Sequence, residues 1–308
     1  HSVKKCVTML ASSALFPSAV NRTLITIHSK ILIMTTDTHQ RDVLIIGAGL
    51  SGLSAASELI KIGLDVLLVD KGRGLGGRLA GRRIGDASFD HGAQFLTARD
   101  PRFAVQVRQW VQAGVAKAWY SSLPGQPNSH TRYRGVPTMT AIAKHLSAAL
   151  KVELATTVVA IIADNAGWLT AFDNGNSIRS RSLLITSPVP QTIALLASGN
   201  IQLTAANQAR LARIEYECCI AVMAILDQPS AIKPPGALAI DTGPIAWIGD
   251  NQQKEVSALP AITIHGSGKF SADYFEGDRD QAAQVLIDVA KPYLGADVVE
   301  YQVHGWRY

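Results

Sequence analysis

The chain has 308 residues, 47% apolar and 17% charged, with a mean hydropathy of +0.15. That composition can build the core of one large domain or two smaller ones and excludes a disordered chain. The formal charge is +5, but residues 1–36 hold Lys4, Lys5, Arg22 and Lys30 with no acid before Asp37, so the remainder is nearly neutral. The pI of about 9.1 therefore does not mark a nucleic-acid surface, and no nucleic-acid partner is expected. Three cysteines, Cys6, Cys218 and Cys219, without CxxC spacing exclude a disulfide framework or a cysteine zinc site and fit a reducing, cytoplasmic setting.

Residues 1–40 read as a leader or an upstream extension without order of its own, with Met34 just ahead of the first strand. The apolar stretch from Cys6 to Val20 is broken by Pro17 and is too short for a bilayer span of about 20 residues, so no membrane partner is expected. The other end stops at Trp306-Arg307-Tyr308, directly after a predicted strand, and reads as the end of a fragment.

Asp42 to Ile46 predicts a strand, followed at once by Gly47-Ala48-Gly49-Leu50-Ser51-Gly52. Leu50, Leu53, Ala56, Leu59 and Ile60 then repeat at helical spacing up to Gly63, and Leu64 to Val69 predicts a second strand ending in Asp70. This is a βαβ unit carrying GxGxxG, with an acid 18 positions after Gly52, near the spacing of about 20 seen in dinucleotide folds. Gly47 makes the turn, Gly49 admits a pyrophosphate to the backbone, and Gly52 lets helix and strand pack closely. Leu50 and Ser51 open a helix whose N–H groups face the phosphates, and Asp70 is placed to accept from ribose hydroxyls.

A second glycine-rich stretch, Lys71-Gly72-Arg73-Gly74-Leu75-Gly76-Gly77-Arg78, follows where a dehydrogenase would start an ordinary crossover. It predicts a second loop at the same cofactor. Eight bases against three acids between Lys71 and Arg108, Lys71, Arg73 and Arg78 among them, would stabilise a pyrophosphate or an anionic ring.

Farther along, Asp100-Pro101 and Gly114 frame a helix, and Pro137 opens one reaching Leu150. Strands are predicted at 152–163, at 168–172 and, after the Asp173-Asn174-Gly175 turn, up to Arg179; a separate strand follows at 183–186. Helices at 191–197 and 204–214 lead to strands at 219–226, 237–240, 245–248 and 261–265, a helix at 278–294 and a strand at 298–304. Cys218 and Cys219, adjacent in a strand, read as packing residues. No HxH, HExxH, GxSxG or Walker pattern occurs, so no metal, hydrolase or NTPase site is expected.

Ser88-Phe89-Asp90-His91-Gly92-Ala93-Gln94-Phe95, after Gly76-Gly77-Arg78, resembles the FAD-dependent amine oxidase superfamily, and more narrowly its renalase-like branch. The resemblance continues through Tyr133-Arg134-Gly135-Val136-Pro137, Ala246-Trp247-Ile248-Gly249-Asp250-Asn251, Thr263-Ile264-His265 and His304-Gly305-Trp306-Arg307-Tyr308. It implies an α/β protein: an FAD-binding Rossmann-like domain of the hydroxybenzoate hydroxylase type over 41–98 and 137–199, and a β-rich α+β substrate domain over 99–136 and 200–308. It also implies that Gly47, Gly49 and Gly52 meet the FAD pyrophosphate and Asp70 the ribose. Gly77 and Arg78 would meet the phosphate and ribityl region, the Val158 backbone the adenine, and Gln94 the flavin ring, with His265 and Trp247 in the substrate pocket. The family continues past Trp-Arg-Tyr with a segment that covers the flavin, and this sequence stops before it.

The implied activity is an oxidase that takes hydride from a 2- or 6-dihydro isomer of NAD(P) and returns electrons to O2, giving hydrogen peroxide. A flavin oxidase of small amines, a truncated dinucleotide-binding protein without turnover, and a plain NAD dehydrogenase stand as alternatives.

Overall fold

The computed structural model describes residues 40–123 and 130–308; the leader reading for 1–40 lies almost wholly outside them. In chain order the elements are β1 (Arg41–Ile46), α1 (Leu50–Lys61), β2 (Val66–Val69), β3 (Gly81–Ile84), β4 (Ala87–Asp90), β5 (Leu96–Thr97), α2 (Pro101–Gln112), β6 (Ala116–Tyr120) and β7 (Arg132–Gly135). There follow α3 (Thr140–Ser147), β8 (Lys151–Glu153), β9 (Val158–Asp164), β10 (Gly167–Phe172), β11 (Ser177–Ile185), α4 (Val189–Ser198) and α5 (Ala205–Ala212). The last part holds β12 (Cys219–Leu226), β13 (Ala237–Ala239), β14 (Ile245–Asp250), β15 (Ala261–Gly266), α6 (Gly268–Tyr274), α7 (Arg279–Leu294) and β16 (Val298–Trp306). The fold is mixed α/β, and two compact units form: one from residues up to Gly47, Ala55–Arg73 and Leu150–Glu215, the other from Ala48–Ser54, Gly74–Ala149 and Tyr216–Tyr308.

The first unit is built on a six-stranded sheet in the order β8-β2-β1-β11-β10-β9. β8, β2, β1 and β11 are parallel, and β10 and β9 add on antiparallel. Leu44, Ile46, Leu67, Val69, Ile161, Phe172 and Ile178 are its core. Two expectations are corrected here. The strand expected over 152–163 is two strands, because Ala155 takes φ 52 and its N–H goes to Gly72 O while Thr156 N–H goes to Asp70 O. The break wraps the chain around the end of β2. Conversely, the runs to Arg179 and from Leu183 are one strand. The polar stretch between them alternates: Ser180 is fully buried, whereas Arg179 and Arg181 point out to Asp164 and Asp42 at 2.8 and 3.1 Å.

In the second unit a five-stranded sheet, β13-β14-β15-β12-β16, is covered by α7. Ala282, Ala283, Leu286, Ile287, Ala290 and Leu294 form the buried stripe of that helix, which Asp278 caps by accepting from the Asp280 and Gln281 N–H groups. The hairpin β3-β4 and the three-stranded β5-β7-β6 sheet complete the strands. Helix α2 starts as its sequence predicts, with Asp100 accepting from the Arg102 and Phe103 N–H groups and Pro101 in the first turn, and it buries Trp110 completely. Of the two adjacent cysteines, only Cys219 lies in β12; burial pushes its thiol up to about 12.

Pro137 does not open a helix. α3 begins at Thr140, since the preceding turn folds back so that the Gly135 N–H meets Met139 Sδ at 3.2 Å. Gly135 has no room for a side chain, as a Cβ there would press into the backbone of Thr138 and Met139. Gly135→Ala is expected to cost about 3 kcal/mol through overpacking, read as a lowered midpoint in urea unfolding; an unchanged midpoint would mean that this turn moves freely.

Candidate functional site

In the first unit the parallel strands end in a group of turns, the place where open α/β sheets bind ligands. Gly47, at φ +112, follows β1 and sends its N–H to Val69 O, and a Cβ on it would strike Thr186 Oγ1. Asp70 follows β2, and its carboxylate accepts from the Gly72 N–H at 2.7 Å, which orients it at the mouth of the turn. Lys71 and Arg73 are exposed beside it. Val158 opens β9 two residues after Thr156, whose N–H is bound to Asp70 O. Gly47, Asp70, Lys71, Arg73 and Val158 all lie in the turns at the ends of these strands or directly after them.

In the second unit the two glycine stretches lie side by side. Gly49 and Gly76 form a parallel bridge, and the Gly76 N–H donates to Ala48 O at 2.9 Å. Gly76 and Gly77 have φ +104 and +54, and a Cβ on Gly77 would stand 3.5 Å from the Gly49 Cα. Leu50 packs into the core, Ser51 is exposed, Gly52 is buried, and the Leu53 N–H closes the first turn onto Gly49 O. Arg78 lies exposed in the one-turn 3-10 helix Gly77–Leu79. The result is a cradle of two bridged glycine turns, with the exposed Arg78 next to Gly77.

A second constellation in the same unit is buried. Lys254 Nζ lies 2.9 Å from Asp90 Oδ2 with both side chains fully buried. The other carboxylate oxygen accepts from the Met139 N–H at 2.8 Å. Burial pushes the Lys254 pKa down, and Asp90 opposes that. Gln94 Nε2 donates to the Asp90 and Gly92 carbonyls, and Lys254 Nζ approaches Gln94 Oε1 at 3.5 Å. Asn251 tightens the group: its Oδ1 accepts from the Asp90 N–H, and its Nδ2 donates to Thr263 Oγ1, which donates in turn to Asp90 O.

Aromatic rings stand around this core. Lys254 Nζ sits 4.9 Å from the Trp119 ring centre, Trp247 packs against Phe95 (5.6 Å) and Trp119 (6.3 Å), and Arg132 covers the rings of Phe95 and Tyr120 at 5.5 and 5.1 Å. Gly249 allows the assembly, since a Cβ there would lie 2.8 Å from Gln94 Oε1 and 3.0 Å from Trp247 Nε1. Gln94 and Trp247 therefore do come together.

His265 stands beside them and is committed elsewhere: its Nε2 meets His91 O at 3.0 Å, an oxygen that also accepts from Trp306 Nε1 at 3.0 Å. Burial lowers His265 to about 4, and burial with the neighbouring His304 lowers His91 to about 3, against 6.5. Both rings are neutral near pH 7. Because the unfolded chain protonates these histidines first, their contribution to stability is complete above about pH 6.5 and is lost as pH falls through 4 toward 3. A urea midpoint lower at about pH 5 than at about pH 7.5, with the difference reduced in His265→Gln, is expected; equal slopes in both proteins would remove His265 from this account.

Sequence reasoning named Gln94, Trp247 and His265 but missed Lys254. No periodicity marks it: it stands four residues past β14, in a polar turn of the sequence.

Comparison with known proteins is consistent with this architecture. A family model described as an NAD(P)-binding Rossmann-like domain matches residues 45–110. Among solved structures, putrescine oxidase bound to putrescine is 15% identical, with 87% of this chain and 85% of that chain covered at a TM-score of 0.68. Cyclohexylamine oxidase from Brevibacterium oxydans is 15% identical over 87% and 85% at 0.65, and a proposed protoporphyrinogen oxidase from Exiguobacterium sp. is 12% identical over 87% and 87% at 0.68. At these identities the likeness is one of fold.

Proposed function

We propose that the chain is an FAD-dependent oxidoreductase of the amine oxidase superfamily fold, with the FAD-binding domain over 41–98 and 137–199 and the substrate domain over 99–136 and 200–308. The observation that carries this is the bridged glycine pair Gly49–Gly76, with Gly77 left-handed beside it. Gly49 and Gly77 carry no side chain, a helix N-terminus begins at Leu50, and Arg78 is exposed next to Gly77, so these residues fit a pyrophosphate. The similarity of the fold to putrescine and cyclohexylamine oxidases supports the same cofactor. Gly47, Gly49, Leu50, Ser51 and Gly52 would hold the pyrophosphate with Gly77 and Arg78, while Asp70 takes the ribose hydroxyls. Lys71 and Arg73 add positive charge, and the Val158 backbone meets the adenine. Bound FAD would supply a two-electron acceptor, and the protein would supply orientation and electrostatics.

The substrate we assign is a dihydronicotinamide, the 2- or 6-dihydro isomer of NAD(P), with O2 as the final acceptor and hydrogen peroxide as product. Support comes from the charges near Gln94 and Trp247. The faces of Trp119, Phe95 and Tyr120 already carry Lys254 and Arg132, and both oxygens of Asp90 are engaged. A protonated amine would meet cations there, whereas an uncharged ring bearing anionic phosphates would not. Gln94 and Trp247 orient that ring in this reading, and His265 holds the His91 turn. A second reading, a small-amine oxidase, is favoured by the fold likeness to proteins named for putrescine and cyclohexylamine.

The test is anaerobic mixing of the purified yellow protein with 6-dihydro-NAD and, separately, with putrescine. Bleaching by the dihydronicotinamide and recovery in air are expected; bleaching by the amine alone would transfer the assignment to the second reading. A colourless protein that FAD does not reconstitute would contradict both.

A further inference from the structure

We propose that Lys254 and Asp90 are a positioning pair that sets the polarity of the Gln94 side-chain amide and so makes Gln94 a pure hydrogen-bond acceptor toward its ligand. The inference rests on the placement of Gln94 in the substrate and flavin pocket argued above. A primary amide has a donor end and an acceptor end of nearly the same shape, so its orientation is decided by its partners. Here Nε2 donates to two carbonyls, Asp90 O and Gly92 O, and Oε1 faces the Lys254 ammonium at 3.5 Å.

Turning the amide over would set Oε1 against two carbonyl oxygens and Nε2 against an ammonium. All of those contacts would be repulsive in a buried setting where nothing screens them. Lys254 is held in place by Asp90 Oδ2 at 2.9 Å and by the Trp119 face at 4.9 Å. Asp90 acts twice, since its carboxylate fixes the ammonium and its backbone oxygen takes a Gln94 proton.

The chemical consequence concerns the ligand. Both N–H bonds of Gln94 are spent within the protein, so only the remaining lone pair of Oε1 can be offered. Gly249 keeps space beside that oxygen, because a Cβ there would lie 2.8 Å from it. The group met by Gln94 must therefore be an N–H or O–H donor, such as a carboxamide N–H, and not a bare carboxylate or carbonyl.

The experiment uses FAD-loaded protein with nitrogen-15-labelled glutamine, in which the Gln94 amide pair is identified by its disappearance in Gln94→Ala. In Lys254→Met/Asp90→Asn, which removes both charges together, the melting temperature is expected to stay near that of the parent. Solvent exchange of the Gln94 amide protons should rise, and the dissociation constant for 6-dihydro-NAD should increase about tenfold, the equivalent of one hydrogen bond. Lys254→Gln/Asp90→Asn, which keeps an N–H donor and leaves no unpaired buried charge, should restore part of both effects and serves if the first double variant does not fold. An amide pair that is unchanged in a folded Lys254 variant would overturn the proposal. If the amide pair responds to Lys254 but Gln94→Ala leaves flavin reduction intact, the positioning pair stands and the pocket assignment falls.

Discussion

Lys254→Met alone is expected to be among the most damaging single changes to this protein, costing about 3–5 kcal/mol of folding stability. The reason is desolvation: Asp90 and Lys254 are both fully buried, and removing the ammonium leaves a buried carboxylate without its ion-pair partner. Asp90→Asn in addition should recover most of that loss, because a neutral amide can still accept from the Met139 N–H without a desolvated charge. Urea unfolding of the single and double variants measures both quantities. Equal losses in the two would show that the lysine stem, not its charge, matters.

Gly77→Val is expected to weaken FAD binding about 100-fold, or about 2.7 kcal/mol, while leaving the core folded. Gly77 sits at φ +54, where a β-branched residue is strained, and its Cβ would stand 3.5 Å from the Gly49 Cα. To relieve the strain, the second glycine loop must shift away from the first, and the cradle opens. Gly85 provides the control, since it has nearly the same φ, +53, with nothing within 4 Å of its Cβ position. Gly85→Val should lower the melting temperature without changing the FAD dissociation constant. Equilibrium titration of apoprotein with FAD distinguishes the two; parental affinity in Gly77→Val would remove Gly77 from the proposed cofactor site.

Electrostatics shape the substrate proposal more than any single contact. Buried Lys254 and half-buried Arg132 both lie over aromatic faces, and both oxygens of Asp90 are engaged. Gln94→Glu is therefore expected to strengthen the local interaction with Lys254 while removing the Gln94 donor from Asp90 O and Gly92 O, and to reduce the rate of flavin bleaching by dihydronicotinamide. Stopped-flow absorbance reads the effect, and an unchanged rate would separate Gln94 from the chemistry.

By itself the sequence determined what short-range physics controls. Helical spacing and glycines are local, so β1, α1 and β2 and the turns at Gly47 and Asp70 were legible without a structure. So were the helix starts at Asp100, Thr204 and Asp278, where a short side chain accepts from N–H groups two or three residues on. The tertiary structure decided everything that depends on residues far apart in the chain. Whether Ser180 to Ser182 is a loop or a strand turned on Asp42 and Asp164 waiting beside Arg181 and Arg179. Whether Pro137 starts a helix turned on Asp90 drawing in the Met139 N–H. The buried lysine carries no pattern of its own, because a charge inside a protein is tolerated only where folding delivers its partners; Asp90, Gln94 and Trp119 reach Lys254 from other strands and turns, and only the folded chain brings them together.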